Sequence, residues 1–461
     1  MTAIRDAKDL HTDVHVPVVI VGGGACGLSA AIHLHDLGVE AWVLERDAQP
    51  SGSTALSSGF IPAAATAAQQ AAGVRDSIPD FMADIQSKAH GQAAPHLVEA
   101  YAHAVVPALD VLQQRHGFDW EILDGFLYPG HRARRMHSLP QRQGQALIQR
   151  LLRRAEGLGI TLVTHAQVMD LFVDQDKRVH GVGLQRPDGS RESLACDAVL
   201  LACNGYGGDA QLIQQHVPQM SQALFAGHVG NDGSAVRWGM GLGAGLADMT
   251  AYQGHGSWAM PHGALVTWAL MMEGGVQINV KGERFHNETL GYSEAAEQVV
   301  AQPDALAWCV FDQAVLQLAQ GFPDFVELQQ AGGVIHAEGA PDLAARLGVP
   351  VSALLESLSW PLDGPDTFGR HFQRRLQGPL CAVRVTGALF HTQGGLTIDA
   401  CARVCSAGGE PFPNLWAAGG AARGVSGPDV SGYLSGNGLL SAMAGAWLAA
   451  QDIFQERSIC A

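Results

Sequence analysis

A chain of 461 residues, 47% hydrophobic and 16% charged with 56 glycines, is long enough for two domains or for one domain with a large insertion, and its glycine content suits an α/β protein with many tight strand-to-helix turns. A formal net charge of −16 without a dense Lys/Arg cluster excludes nucleic acid and anionic membrane surfaces as expected partners. The polar opening residues and short apolar runs predict no leader and no membrane span, so a cytoplasmic location is expected. The eight cysteines (Cys26, Cys196, Cys203, Cys309, Cys381, Cys401, Cys405, Cys460) form no CxxC pair, so no zinc, iron–sulfur or haem site is expected and they read as buried reduced thiols.

From Val16 the chain reads as an apolar strand, a glycine turn, an amphipathic helix and a second apolar strand ending in Glu45. Gly22, Gly24 and Gly27 form GxGxxG, which lets the backbone turn tightly, approach a pyrophosphate and pack the helix on the strand, with the helix N-terminus facing the phosphates. Glu45, eighteen residues after Gly27, is placed to accept from ribose hydroxyls. Together these predict dinucleotide binding. The following PSGSTALSSGFIPAAAT has too little bulk for a core and suits passage beside a flat ligand. A helical region then replaces the second βα unit of an NAD domain. The sheet resumes near Ile160 to Thr164, followed by a strand pair, Gln167 to Val173 and Val179 to Gln185, joined by DQDKR, which is the FAD-type layout. The segments Cys196 to Gly208 and Asn414 to Gly424 read as strands returning to the nucleotide sheet. A last helix, from about Asn437 through Ala450, follows GYLSGNG, and its N-terminal dipole favours negative charge on a reduced isoalloxazine.

The middle third carries GHGSWAMPHGALVTWALMMEGG, a hairpin-like VQINVKGERFHNE, and Ala/Leu-rich helical stretches bounded by turns such as WPLDGPD. Trp258, Trp268, Met271 and Met272 read as core. Arg284 and Glu288, at helical i, i+4 spacing, predict a structural ion pair worth a few tenths of a kcal/mol if exposed.

On VIVGGGACGLSAA, SGSTALSSG, LLACNGYGG, the NDG at Asn231 to Gly233, NVKGERFHNE, HTQGGLTID and LWAAGG followed by GYLSGNGLLSA, the chain resembles, almost end to end, the flavoprotein family of fumarate reductase, succinate dehydrogenase, L-aspartate oxidase and 3-ketosteroid dehydrogenase. The resemblance implies an α/β fold: a Rossmann-like FAD-binding domain in two pieces, 13–225 and 365–461, with an inserted α+β capping domain, 226–364, that holds substrate against the flavin. It implies non-covalent FAD, since residues 51–59 contain no histidine to attach it. Carried over motif by motif, the cofactor contacts are Gly22, Gly24, Ala25 and Gly27 in the first turn, then Glu45 and Arg46. Ser53, Thr54, Ser58 and Gly59 follow in the serine-rich segment, and Val168, Asn204, Gly205 and Asp232 further on. Gly420, Asn437, Gly438 and Leu439 complete the set. The chain supplies no haem or iron–sulfur ligands, so its electron acceptor or donor is expected to be a separate soluble molecule.

In the fumarate reductases of this family one arginine delivers a proton and a second clamps a substrate carboxylate. The matching positions here are Tyr292, four residues after Glu288, and Tyr433. Phenols cannot replace bidentate guanidinium recognition, which argues against a C4-dicarboxylate. The tyrosine pair resembles 3-ketosteroid dehydrogenases, which implies Tyr292 as the base at the α-carbon and Tyr433 as the donor to the ketone, with the amide near Asn437 completing an oxyanion site. A phenol with a reference pKa near 10 needs a helper to act as base, and Tyr128 in GFLYPGH is the candidate. His391 resembles the carboxylate-binding histidine of the fumarate reductase branch, and His255 a second substrate contact; the alternative for each is a structural histidine. Together they imply a small-molecule carbonyl or carboxylate substrate. The expected activity is FAD-dependent α,β-dehydrogenation of a cyclic ketone or keto acid by hydride transfer to flavin N5. The alternatives are an ene-reductase of an unsaturated acid or enone, and a flavin electron relay with no organic substrate.

Overall fold

The near-continuous apolar run of His15–Val21 is buried on both faces, as a central parallel strand requires. In the computed structural model, which describes residues 3–124 and 127–460, this strand sits in the parallel array Pro411–Ala417, Arg191–Leu201, His15–Val21, Ala41–Leu44, Thr161–Val163. The antiparallel pair Gln167–Val173 and Val179–Gln185 continues the sheet beyond Arg191–Leu201, Ala3–Asp6 closes that edge, and Arg403–Cys405 pairs antiparallel with Pro411–Ala417, giving nine strands. Both segments expected to return to the nucleotide sheet do so side by side, Val199 opposite Leu415 and Leu201 opposite Ala417. The helix Ala25–Asp36 packs on the last helix, Asn437–Cys460, and that helix packs in turn on Pro95–His116. Val19, Ile20, Leu28, Leu200, Leu415 and Met443 are fully enclosed between these layers.

One sequence boundary moves. The last helix runs past Ala450 to Cys460, because Asp452 and Glu456 are turned inward to Arg403: Arg403 Nε donates to Asp452 Oδ2 at 2.6 Å, and Trp416 Nε1 donates to the same carboxylate at 2.8 Å. The stretch after Val276–Asn279 turns back on itself as its hairpin-like pattern predicts, with Asn279 N–H bonded to Glu283 O and Ile278 bridging Arg284, so Arg284 and Glu288 are not on a helix.

The chain divides into two compact units. The first comprises Met1–Val217, Gly227–Tyr252 and His391–Ala461, and carries the nine-stranded sheet. The second comprises Pro218–Ala226 and Gln253–Phe390. The second unit is built on Leu380–Thr392, whose antiparallel partners include Leu306–Asp312 and Ile335–Ala337, with Val276–Asn279 beyond Leu306–Asp312. Its helices Ala340–Leu347 and Val351–Ser357 contribute Leu343, Ala344 and Leu354 to a core with Val276, Ile278 and Val310. Trp268 and Met271 are buried as core residues, while Trp258 and Met272 are only partly covered.

Five thiols are buried and free, Cys203 is half-buried, and Cys401 is exposed, contrary to the expectation of burial throughout; it lies in the turn before Arg403–Cys405. The side chain of Cys460, and Gly125 and Phe126 of GFLYPGH, lie outside the described residues. Among the described residues no helix is long and apolar enough to cross a membrane.

Candidate active site

The glycine turn of the first unit is sterically required. Gly22 has φ +106° and an added Cβ would approach Ala202 O at 2.6 Å; a Cβ on Gly27 would overlap Gly22 O, so helix and strand touch through backbone alone. Gly24 is not crowded in this way: an added Cβ would make only ordinary contact with Thr54 Oγ1, at 3.6 Å. Thr54 Oγ1 accepts from Ala25 N–H at 3.0 Å, which caps one helix amide internally. Glu45 is held from both sides: Oε2 accepts from Gly23 N–H at 2.8 Å and Oε1 from Asp47 N–H at 2.9 Å. Burial raises its carboxyl against those two amide bonds. Each carboxylate oxygen keeps a second lone pair, so Glu45 ties the turn together and still has capacity for a ribose hydroxyl.

Around this turn, Arg46 Nη1 meets Asp232 Oδ2 at 3.1 Å. Ser53 Oγ accepts from the side-chain amides of Asn204 (2.9 Å) and Asn231 (3.1 Å). Asn231 is buried and was not among the residues expected from sequence, although it opens the NDG motif. Gly420 and Gly205 pack against Asn204 and Thr392. Val168 is buried on its strand, Ser58 is half-buried, and Gly59 lies against the backbone of Gln143 and Gly144.

At the start of the last helix Asn437 is fully buried; its Nδ2 donates to Ser426 Oγ at 3.0 Å and its Oδ1 has no partner. Its backbone N–H is committed to Leu434 O at 3.0 Å, so the free donors at this helix end are the amides of Gly438 and Leu439 instead, as the geometry of a helix N-terminus leaves them. A turn that admits no side chain at Gly22 or Gly27, an open helix N-terminus and an orphaned buried amide oxygen are features that fit a dinucleotide carrying a polar ring system.

The candidate reacting residues fall into two groups. In the first unit, buried Tyr433 lies edge-on to half-buried His391, ring centroids 6.0 Å apart. His391 abuts Gly438, where an added Cβ would come within 2.9 Å of its Cε1 and Nε2. Burial pushes the His391 imidazole down to about 4. Tyr128 packs on Phe60 at 6.2 Å with Leu123 and Met136, and its loop is tied to the Tyr433 segment by His131 Nε2, which donates to Ser435 O at 3.0 Å. In the second unit, Tyr292 opens the helix Tyr292–Val300 and stacks on His255 at 4.7 Å and 20°, with Trp268 edge-on to both rings. His255 Nδ1 lies 3.0 Å from Ser257 Oγ, and burial lowers the ring to about 3.

The expected Arg284–Glu288 pair exists, but buried and not helical. Glu288 accepts from Arg284 Nη2 (2.8 Å) and Arg370 Nη1 (2.7 Å), and Arg284 also meets Asp366 at 2.6 Å. Both buried guanidiniums of this cluster are therefore committed to carboxylates within the chain.

A family model for the FAD binding domain matches residues 17–439. Among characterised relatives, the chain is 26% identical to an NADH:fumarate oxidoreductase from Klebsiella pneumoniae (strain 342) over 89% of its own length but 45% of that protein's, so it spans under half of that relative. It is 24% identical to a 4-oxocyclohexanecarboxylate 2-dehydrogenase from Sinomonas cyclohexanicum over 93% of both chains. The fold is shared with the open conformation of a flavocytochrome c3 fumarate reductase (TM-score 0.82, 24% identity, 98% of this chain and 80% of that one). It is shared also with 3-ketosteroid-Δ4-(5α)-dehydrogenase from Rhodococcus jostii RHA1 (TM-score 0.77, 23% identity, 98% and 100%). The match across nearly the whole chain, on top of the glycine turn and its carboxylate, shows that this protein belongs to the FAD binding domain family and is a FAD-dependent oxidoreductase with the fold of fumarate reductases and 3-ketosteroid dehydrogenases.

Proposed function

We propose that the protein is an α,β-dehydrogenase that removes hydrogen from the carbon–carbon bond beside a ketone, with cyclic ketones and keto acids as the substrate class. The observation that carries this reading is the pair of phenol–imidazole contacts, Tyr292 on His255 and Tyr433 beside His391, at the two positions that the sequence resemblance matches to arginines of the fumarate reductases. The buried arginines nearest in sequence to Tyr292 are spent on Glu288 and Asp366 and are not available as a carboxylate clamp. The dehydrogenase relative named for a cyclic keto acid points the same way.

When bound, FAD supplies the two-electron sink for the hydride that leaves the β-carbon. Tyr292 Oη, reacting as the phenolate after losing its own proton, takes the α-proton. The Tyr433 hydroxyl, with the amides of Gly438 and Leu439, donates to the carbonyl oxygen as it gains charge. His255 and His391 are both held neutral at pH 7, so they contact a ketone or carboxylate as hydrogen-bonding groups and not as cations. A transition-state donor of this kind contributes about 3–4 kcal/mol, so Tyr433→Phe is expected to lower turnover by roughly 100- to 1,000-fold with flavin content unchanged. Near-native turnover would remove Tyr433 from the oxyanion site.

The decisive test is anaerobic mixing of the flavin-loaded protein with cyclic ketones, keto acids and saturated carboxylic acids while the visible flavin absorbance is followed. Bleaching by a saturated ketone or keto acid is the expected result. If only the dithionite-reduced protein reacts, and it is reoxidised by an enone or unsaturated acid, the enzyme is an ene-reductase anchored by His391, and the proposed direction is wrong. A flavin inert in both directions would leave the electron-relay reading.

A further inference from the structure

Four side chains of the first unit join in one line. Asn437 Nδ2 donates to Ser426 Oγ at 3.0 Å, Ser426 Oγ donates to Gln393 Oε1 at 2.9 Å, and Gln393 Nε2 lies 3.0 Å from His391 Nδ1. Asn437, Ser426 and Gln393 are at most 5% exposed, so water does not compete for these bonds. The line has a polarity. A serine hydroxyl has one proton, and with Asn437 as its donor that proton goes to Gln393 Oε1, which turns the Gln393 NH2 toward the imidazole. A donor facing Nδ1 requires a lone pair there, which leaves the ring proton on Nε2. The opposing pull is Thr392 O, 3.2 Å from Nδ1, which alone favours a proton on that nitrogen.

We infer that Gln393 and Ser426 are positioning residues that fix His391 as the Nε2–H tautomer, so that it meets substrate as a hydrogen-bond donor to an oxygen lone pair. This rests on the reading of His391 as a substrate contact, and it narrows the group recognised there to an acceptor such as a ketone or carboxylate oxygen and excludes recognition through a donated substrate proton. The role passes through His391; neither Gln393 nor Ser426 touches the reacting atoms. At the far end the chain of donors begins at Asn437, whose Oδ1 is buried without a partner.

The measurement is the 15N spectrum of the flavin-loaded protein with labelled histidine, His391 being assigned by difference against His391→Gln. The native protein is expected to show His391 protonated at Nε2 over Nδ1 by about tenfold, the ratio that one net neutral hydrogen bond supports. Gln393→Glu replaces the donor by an acceptor and is expected to move the proton to Nδ1. Ser426→Ala, which releases the Gln393 amide without touching the ring, is expected to give a mixture. Native protein protonated at Nδ1, or a tautomer unchanged in Gln393→Glu, would overturn the inference; if Gln393→Glu does not accumulate as folded protein, the native spectrum and Ser426→Ala decide it. No substrate is present in these spectra, so their outcome is independent of whether any ketone bleaches the flavin.

Discussion

Tyr292→Phe is expected to lower the rate of flavin reduction by roughly 100- to 10,000-fold, the range over which a positioned acid–base group acts, while the protein keeps its flavin. The substitution removes one oxygen and leaves the ring, so the stack on His255 at 4.7 Å and the edge contact with Trp268 at 6.4 Å survive. The helix Tyr292–Val300 keeps its buried Ala295, Ala296 and Val299. What is lost is the acceptor for the α-proton. The assignment can be isolated from the redox step by exchange: in D2O the native enzyme should wash deuterium into the α-position of a ketone that binds, and the variant should not. Exchange and reduction both proceeding at the native rate in Tyr292→Phe would show that another group takes the proton.

The nucleotide-binding half was legible because its signals are local. GxGxxG, an apolar strand on each side and the carboxylate of Glu45 fall within a short run of sequence, and strand periodicity located Gln167–Val173 and Val179–Gln185 to the residue. The site was less legible wherever a side chain answers to a distant partner. Asn231 reaches Ser53 across 178 residues, and Ser426 reaches Gln393 across 33, with no spacing rule linking either pair. The polar tail of the last helix read as its end because Arg403, which buries that polarity, lies 49 residues before Asp452. The spacing of Arg284 and Glu288 predicts that they pair but not that the pair is buried, because the contacts that decide their environment come from Asp366 and Arg370, each 82 residues on from its partner.

That last cluster gives the largest expected change in stability. Glu288 is wholly buried, and Arg370 Nη1, Arg284 Nη2 and Gln277 N–H all donate to it, at 2.7, 2.8 and 3.0 Å. Burial alone would raise its carboxyl; Arg370 and Arg284 outweigh that and hold it down at about 2. Glu288→Gln keeps the shape and one acceptor but leaves two buried guanidiniums facing the single carboxylate of Asp366. Removing one partner of a buried ion pair in this way costs about 3–5 kcal/mol. The cost should spread toward the reacting residues, because Arg370 Nη2 also donates to Met271 O at 2.6 Å and Trp268 Nε1 to Glu288 O at 3.0 Å. The sign of the pH dependence follows from the depressed carboxyl. Between its ordinary value of 4.5 and about 2 the unfolded chain binds the proton and the folded chain does not, so the stability Glu288 provides is complete above 4.5 and is lost as pH falls through that window. Denaturant unfolding should therefore show the full deficit of Glu288→Gln at pH 7 and a shrinking one below pH 4.5. The buried His255, depressed to about 3 by burial alone, loses stability on acidification in native protein and variant alike and so cancels in the difference. His286, depressed by burial to about 4, is held up by the Glu288 charge and falls further in the variant, so the shrinking deficit is read between pH 4.5 and 4. A variant as stable as the native protein at pH 7 would mean that the cluster is solvated and that Trp268 and Met271 are held by packing alone.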